Sequence, residues 1–217
     1  GDGTLFGALY GEPSEETVPA YLTLDTANPN SVVACIARAR EQAHSLRHQI
    51  ASEMWEALNR FHLDLQAYAR SAEPLEIQNA HAFYRSVIDF SHLFQGITDS
   101  TMPRDEGWYF LQTGKFLERA EKTARALDVK YHLLVRDASE SAGPNGHPQE
   151  AVPGDWHQWI AVLRSLSAYE AYHKLYRSAV QPEAVIEMLT YSPIFPRSIR
   201  FAIEKVEVAL DRISAHR

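Results

Sequence analysis

The sequence predicts an all-α fold, an antiparallel helical bundle, on two observations. Only 10 glycines and 11 prolines occur among 217 residues, and they cluster, which leaves long stretches without helix breakers. Within those stretches apolar residues recur every three or four positions, the spacing of one helix face. The first segment, residues 31–68, is announced by Asn28-Pro29-Asn30-Ser31 as a cap, with Ser45 marking a break between two consecutive helices, and Pro74 closes the region. A helix over residues 77–98 carries Phe83, Val87, Phe90, Phe94 and Ile97 on one face, and Pro103 ends the connection after it. A third helix spans residues 104–135. Residues 137–153, which include Ser139 through Pro148, have no apolar period and are expected to form a mobile surface loop. Helices over residues 155–176, 182–189 and 196–214 follow, the last two opening with proline near the first helical position. Residues 1–217 are expected to form one domain.

Residues 16–36 align without gaps on residues 183–203. Glu16, Val18, Leu22, Thr23, Pro29, Ser31 and Ile36 recur as Glu183, Val185, Leu189, Thr190, Pro196, Ser198 and Ile203. A short helix, a turn and a capped long helix are therefore expected twice, with the first copy truncated at its start. Apolar surface is then expected on the side lined by Leu5, Phe6, Leu9 and Tyr10, with self-association into a homodimer or docking of a helix from another chain as its consequence.

Lysine and arginine number 21 against 28 acidic residues, a net charge of -7, so no basic footprint for nucleic acid is present. The single cysteine, Cys35, lies in the apolar run Val32 to Ile36 and is expected to be a buried structural thiol. One thiol cannot form an internal disulfide, and no apolar run approaches the roughly 18 residues of a membrane span. A cytoplasmic protein is expected.

Charged residues that fall inside apolar arcs are the informative positions. At about 100° per residue, Arg47 points within about 20° of Met54 in the arc of Leu46, Ile50, Met54, Ala57, Phe61 and Leu65, with Glu53 at its edge. Glu106 falls inside the face of Phe110, Thr113, Leu117, Ala120, Ala124 and Tyr131, which Glu121 and Asp128 border. Glu170 lies on the stripe of Ile160, Leu163 and Leu166. Unpaired charges in an interior cost several kcal/mol. Arg47, Glu53, Glu106, Glu121 and Glu170 are therefore the candidate catalytic cluster, able to bind a charged small molecule or act as general acid and base, or else to form an ion network that only fixes helix register.

Two Glu-x-x-His pairs, Glu41/His44 and Glu170/His173, have the spacing of carboxylate-bridged dimetal bundles, but Glu41 projects away from Met54 and His173 away from Glu170. No metal site is expected. Trp55 and Trp108 each follow an acidic cluster and read as core or interface anchors, and Arg197 stands in the first turn of the helix opened by Pro196, where a cation is unfavourable unless it faces a carboxylate, a bound anion or solvent.

Several of these segments together resemble the alpha-E domain family, a bacterial all-helical family. The resemblance rests on Asn28 through Ser31, Ala39-Arg40-Glu41, Arg47, Ser52 through Asn59, Asp105 through Trp108, Phe116 through Arg125, Tyr169 through Tyr172 and Phe195 through Ser198. The family typically begins with a helix similar to that around Phe116 to Asp128, which this chain lacks at its start. The resemblance implies partnership with a circularly permuted ATP-grasp ligase, with a transglutaminase-like or proteasome-related peptidase nearby, in systems that make or modify peptides. Trp55, Trp108, Arg119 and Arg197 are the candidate ligand-binding residues. No cofactor is expected in this chain, and ATP and magnesium are expected in the partner ligase. The expected role is an accessory or catalytic subunit that handles a peptide or amino-acid substrate. The alternatives are a dimetal oxidoreductase and a non-catalytic helical interaction module.

Overall fold

The computed structural model describes residues 2–70, 77–141 and 155–215, and among them there are ten helices and no strand. Contacts divide the chain, read from its sequence as one domain, into two compact units, Gly1–Pro103 and Arg104–Arg217.

The first unit holds α1 (Asp2–Tyr10), α2 (Thr17–Thr23), α3 (Val32–Ser45), α4 (Ser52–Arg70) and α5 (Ile77–Thr101). The Ser45 break is present, and residues 46–51 form a turn between α3 and α4. Arg40 reaches Asn59 and His44 lies against Trp55, so α3 and α4 run antiparallel. Tyr68 likewise meets Phe83, and Phe61 stacks on Phe90 at 4.1 Å, so α4 and α5 run antiparallel too. Val33, Phe61, Leu65 and Phe83 form the core of this unit. Helix α1, whose two glycines weaken it in isolation, is anchored by Phe6 edge-on to Tyr21 at 5.1 Å. Phe6 is therefore buried, while Leu5 and Leu9 are exposed. Cys35 is exposed, contrary to expectation, because α3 turns Val33 and not its neighbour Cys35 into the core.

The second unit holds α6 (Glu106–Ser141), α7 (Asp155–Ser165), α8 (Tyr169–Tyr176), α9 (Pro182–Tyr191) and α10 (Ile199–Ala215). Helix α6 continues to Ser141, past the expected start of the loop at residue 137, and the rest of that loop lies outside the described residues. Phe116 and Ala120 of α6 pack on Ala202 and Val206 of α10. Trp159, Leu163, Tyr172, Val185, Met188 and Leu189 build the larger core, against which Ala126 and Leu127 of α6 are packed.

The expected helix over residues 155–176 is broken. Ser167 takes φ 52°, its N–H donates to the Arg164 carbonyl, and the Ala168 N–H reaches back to the Leu163 carbonyl at 2.7 Å. This is the paired-bond stop of a Schellman motif, sealed by the buried Leu163 and Ala168.

The two aligned segments share local geometry. Ser31 caps α3 by accepting from the Ala34 N–H at 3.2 Å, and Ser198 caps α10 by accepting from the Phe201 N–H at 3.0 Å. The Ser31 N–H bonds the Asn28 carbonyl, and the Ser198 N–H bonds the Phe195 carbonyl. Asp25 accepts from the Ala27 N–H where Ser192 accepts from the Ile194 N–H. Upstream, one residue out of that register, Phe6 stacks on Tyr10 at 5.4 Å and Tyr172 on Tyr176 at 5.0 Å. Each of these short helices then ends on a left-handed residue, Gly11 or Arg177.

Candidate functional site

The five charges expected to share an interior are divided between the units, and the four glutamates are exposed. Arg47 lies in the α3–α4 turn and not on a helix, so the arc drawn through Met54 does not reach it; its Nη2 donates to Ser52 Oγ at 3.4 Å. Its guanidinium lies 5.7 Å from the Trp55 ring, which Arg40 approaches at 5.4 Å, so Trp55 anchors two cations across a turn. Glu53 stands on the rim of a groove between α4 and α5.

In α6 the buried stripe is Gln112, Phe116, Ala120, Thr123 and Lys130. Glu121 points about 140° from Phe116, outside that stripe, and Glu106 about 80° from it. Polar members concealed the stripe in the sequence. Thr123 is satisfied by donating to the Arg197 carbonyl at 2.8 Å, and Lys130 by donating to Gln158 and lying over the Trp159 ring. Glu121 is a surface partner instead; Arg125 first, then Lys122, hold its carboxyl below the usual range. Glu106 is the first residue of α6, where a carboxylate suits the positive helix end, and Asp105 accepts from the Trp108 N–H at 3.1 Å. Trp108 is half-buried beneath Arg104 at 4.2 Å, and its indole N–H has no hydrogen-bond partner among the described residues. Glu170 is exposed because the break at Ser167 resets the helix phase, and α8 buries Tyr172 instead.

Glu41 and His44 are exposed in one unit, Glu170 and His173 belong to the other, and no metal-binding group of three ligand residues occurs among the described residues.

What the fold does bring together is Arg119 and Arg197. Arg119 sits at the border of the buried α6 stripe, half-buried, with its guanidinium 5.4 Å from the Phe116 ring. Arg197 is carried by the turn that the Thr123 hydroxyl, one helical turn beyond Arg119, ties to α6. The Arg119 guanidinium is held below its ordinary pKa, first by burial and then by the charge of Arg197. Arg197 lies just before α10, so the pair faces the positive dipole end of that helix, whose Phe201 N–H is already taken by Ser198. Arg200, next in that turn, is already matched to Glu204 at 2.7 Å. The arrangement concentrates positive charge and hydrogen-bond donors, so it suits a carboxylate or another small anion.

Among the described residues no helix is long and apolar enough to cross a membrane. No match to the chain was found among curated proteins or among solved structures. A family model does match, over residues 1–217, and its description is a predicted alpha-helical domain with a conserved ER motif. Glu-Arg occurs once in the sequence, as Glu118-Arg119, so the motif supplies one arginine of the pair. With its whole length matched, the chain belongs to the Alpha-E family.

Proposed function

We propose that this chain binds the carboxylate of a peptide or amino acid at Arg119 and Arg197, as an accessory subunit of an amide-bond-forming system. The convergence of two guanidiniums at the positive end of α10 carries this reading. Burial and like charge both oppose the Arg119 proton, and a bound anion offsets the two costs at once. The nearby Thr123 hydroxyl donates to the Arg197 carbonyl and so holds the turn that carries one guanidinium of the pair. Activation of the carboxylate would fall to a separate, circularly permuted ATP-grasp ligase, which would hold ATP and magnesium; a transglutaminase-like peptidase is a further expected partner.

Calorimetric titration with N-acetyl-alanyl-alanine and with its C-terminal amide tests the site. The free acid should bind at least about tenfold more tightly, and Arg119→Gln or Arg197→Asn should erase the difference. Equal affinity for acid and amide would refute carboxylate recognition. Copurification from native cells that returns no ATP-grasp ligase would refute the partnership separately. A second reading, a helical interaction module, is favoured by the open apolar groove of the first unit.

A further inference from the structure

We infer that the groove between α4 and α5 is a docking site for a basic amphipathic helix from another protein. It encloses about 1020 Å³ and lies wholly within the first unit. Its floor is apolar, formed by Phe61, Leu65, Phe83, Phe90, Leu93 and Ile97. Glu53 and Tyr68 both line it on α4, and fifteen residues of helical rise make it about 22 Å long. A small-molecule site is usually a compact concavity that surrounds its ligand. An open trough of this length between two antiparallel helices fits a third helix, read through apolar anchors three and four residues apart.

Charge selects the occupant. The rim carries Glu53, Glu56, Asp64 and Asp89 against the single cation Arg60. Among the described residues none of these four carboxylates is ion-paired. A helix with lysine or arginine flanking its apolar stripe would meet complementary charge at Glu53, Glu56 and Asp64 on α4 and at Asp89 on α5, whereas an acidic helix would be repelled. A second copy of this chain is disfavoured on the same ground, since two such grooves placed face to face oppose carboxylate to carboxylate, in a chain of net charge -7. Leu93, among the apolar residues that line the groove, is 55% exposed, so it is available as an anchor contact without first unpacking the core.

The test uses the full chain and two fluorescein-labelled peptides of about fifteen residues, long enough to span the groove. One has leucine at helical spacing with lysine elsewhere, and the other replaces every lysine by glutamate. Fluorescence anisotropy at physiological ionic strength should show the leucine–lysine peptide binding at least about tenfold more tightly than the leucine–glutamate peptide. The double variant Asp64→Lys, Asp89→Lys should weaken that binding about tenfold or more, and Leu93→Asp should do the same. The double variant Glu207→Lys, Asp211→Lys makes the same change in net charge on α10 and should leave affinity within about twofold. Equal losses in both double variants would reduce the effect to general attraction and overturn the proposal. So would equal binding of the two peptides, or no binding of either. Sedimentation that turns a dimer into a monomer on Leu93→Asp would assign the groove to a second copy, which also overturns it. Leu93 is exposed, so that variant keeps the test readable if the charge-reversed pair does not fold.

Discussion

Thr123→Val tests whether one buried hydroxyl holds the arginine-bearing turn on α6. Valine matches threonine in shape, so the change deletes a donor and little else. Thr123 is 1% exposed, and its Oγ1 donates to the Arg197 carbonyl at 2.8 Å. Removing a donor from a sealed acceptor costs about 1–3 kcal/mol. Arg197 is half-buried, so water can reach part of its surroundings, and the lower part of the range, about 1–2 kcal/mol, is expected. If residues 104–217 melt as their own unit, that loss lowers the midpoint of thermal unfolding by roughly 3–8 °C. Urea unfolding gives the free energy, and calorimetric titration with N-acetyl-alanyl-alanine gives the consequence for the site. Thr123→Ser separates the two readouts: it loses a methyl group, at about 0.8 kcal/mol, but keeps the donor. The serine variant should therefore retain peptide affinity while the valine variant loses it. A valine variant with wild-type stability and affinity would refute the claim that this bond places Arg197.

Asn28→Ala removes a buried side chain that donates to the Tyr21 carbonyl at 3.0 Å and accepts from the Asn30 N–H at 2.9 Å; a loss of about 2 kcal/mol in urea unfolding is expected, and a neutral result would show that water replaces both bonds. Ser167→Gly places glycine at φ 52°, where an L-residue is strained by about 1–2 kcal/mol and glycine gives back about 0.5–1 kcal/mol in entropy, so a gain of up to about 1 kcal/mol is expected. Ser167→Val should instead destabilise, and the reverse order of the two variants would contradict the left-handed stop. Burial first, then the charge of Arg40, lower the His62 pKa below 6.5 against a smaller opposing effect of Glu41. The unfolded chain then takes up the proton more readily than the fold does. This contribution is full above pH 6.5 and is lost as pH falls through the folded value, so His62→Gln should flatten the acid-side decline of thermal stability. An unchanged slope would show that other groups set it.

Helix periodicity was legible wherever apolar residues alone formed the buried face, as at Met54, Phe61 and Leu65 on α4, although the arc passed over the buried Leu58 for Ala57. The capping serines were legible as well, because a hydroxyl before an apolar-periodic run has a single efficient use. On α6 the reading failed. Gln112, Thr123 and Lys130 look solvent-facing in sequence but are buried, and the partners of Thr123 and Lys130 lie 74 and 28 residues away. Assigning them to the surface turned the apparent apolar face toward Phe110 and Leu117, which are exposed, and carried Glu106 inward with it. Glu170 was misplaced for a different reason: a serine in a left-handed conformation ends α7, and serine carries no such signal as strongly as glycine would. The Arg119–Arg197 encounter depends on the packing of α6 against α10, so only half of it, the awkward position of Arg197 at a helix start, could be read locally, and the helix expected from Pro196 begins at Ile199, which leaves Arg197 in the turn before it.

That awkward position has an internal comparison. The turn before α3 and the turn before α10 use the same serine cap and the same serine N–H bond to the carbonyl three residues back. Where the second turn has Arg197, the first has Asn30, a neutral residue. The backbone geometry therefore closes without a guanidinium. The positive end of α10 is an unfavourable neighbour for a cation, and the charge of Arg197 in turn helps to lower the pKa of Arg119. On the proposal that the pair binds a carboxylate, the negative charge brought from outside the chain is what offsets the unfavourable place of this side chain. Arg197→Asn gives the second turn the residue its counterpart already tolerates. It should unfold at or above the wild-type temperature while losing carboxylate affinity, and a clear fall in stability would show that the guanidinium serves the turn itself.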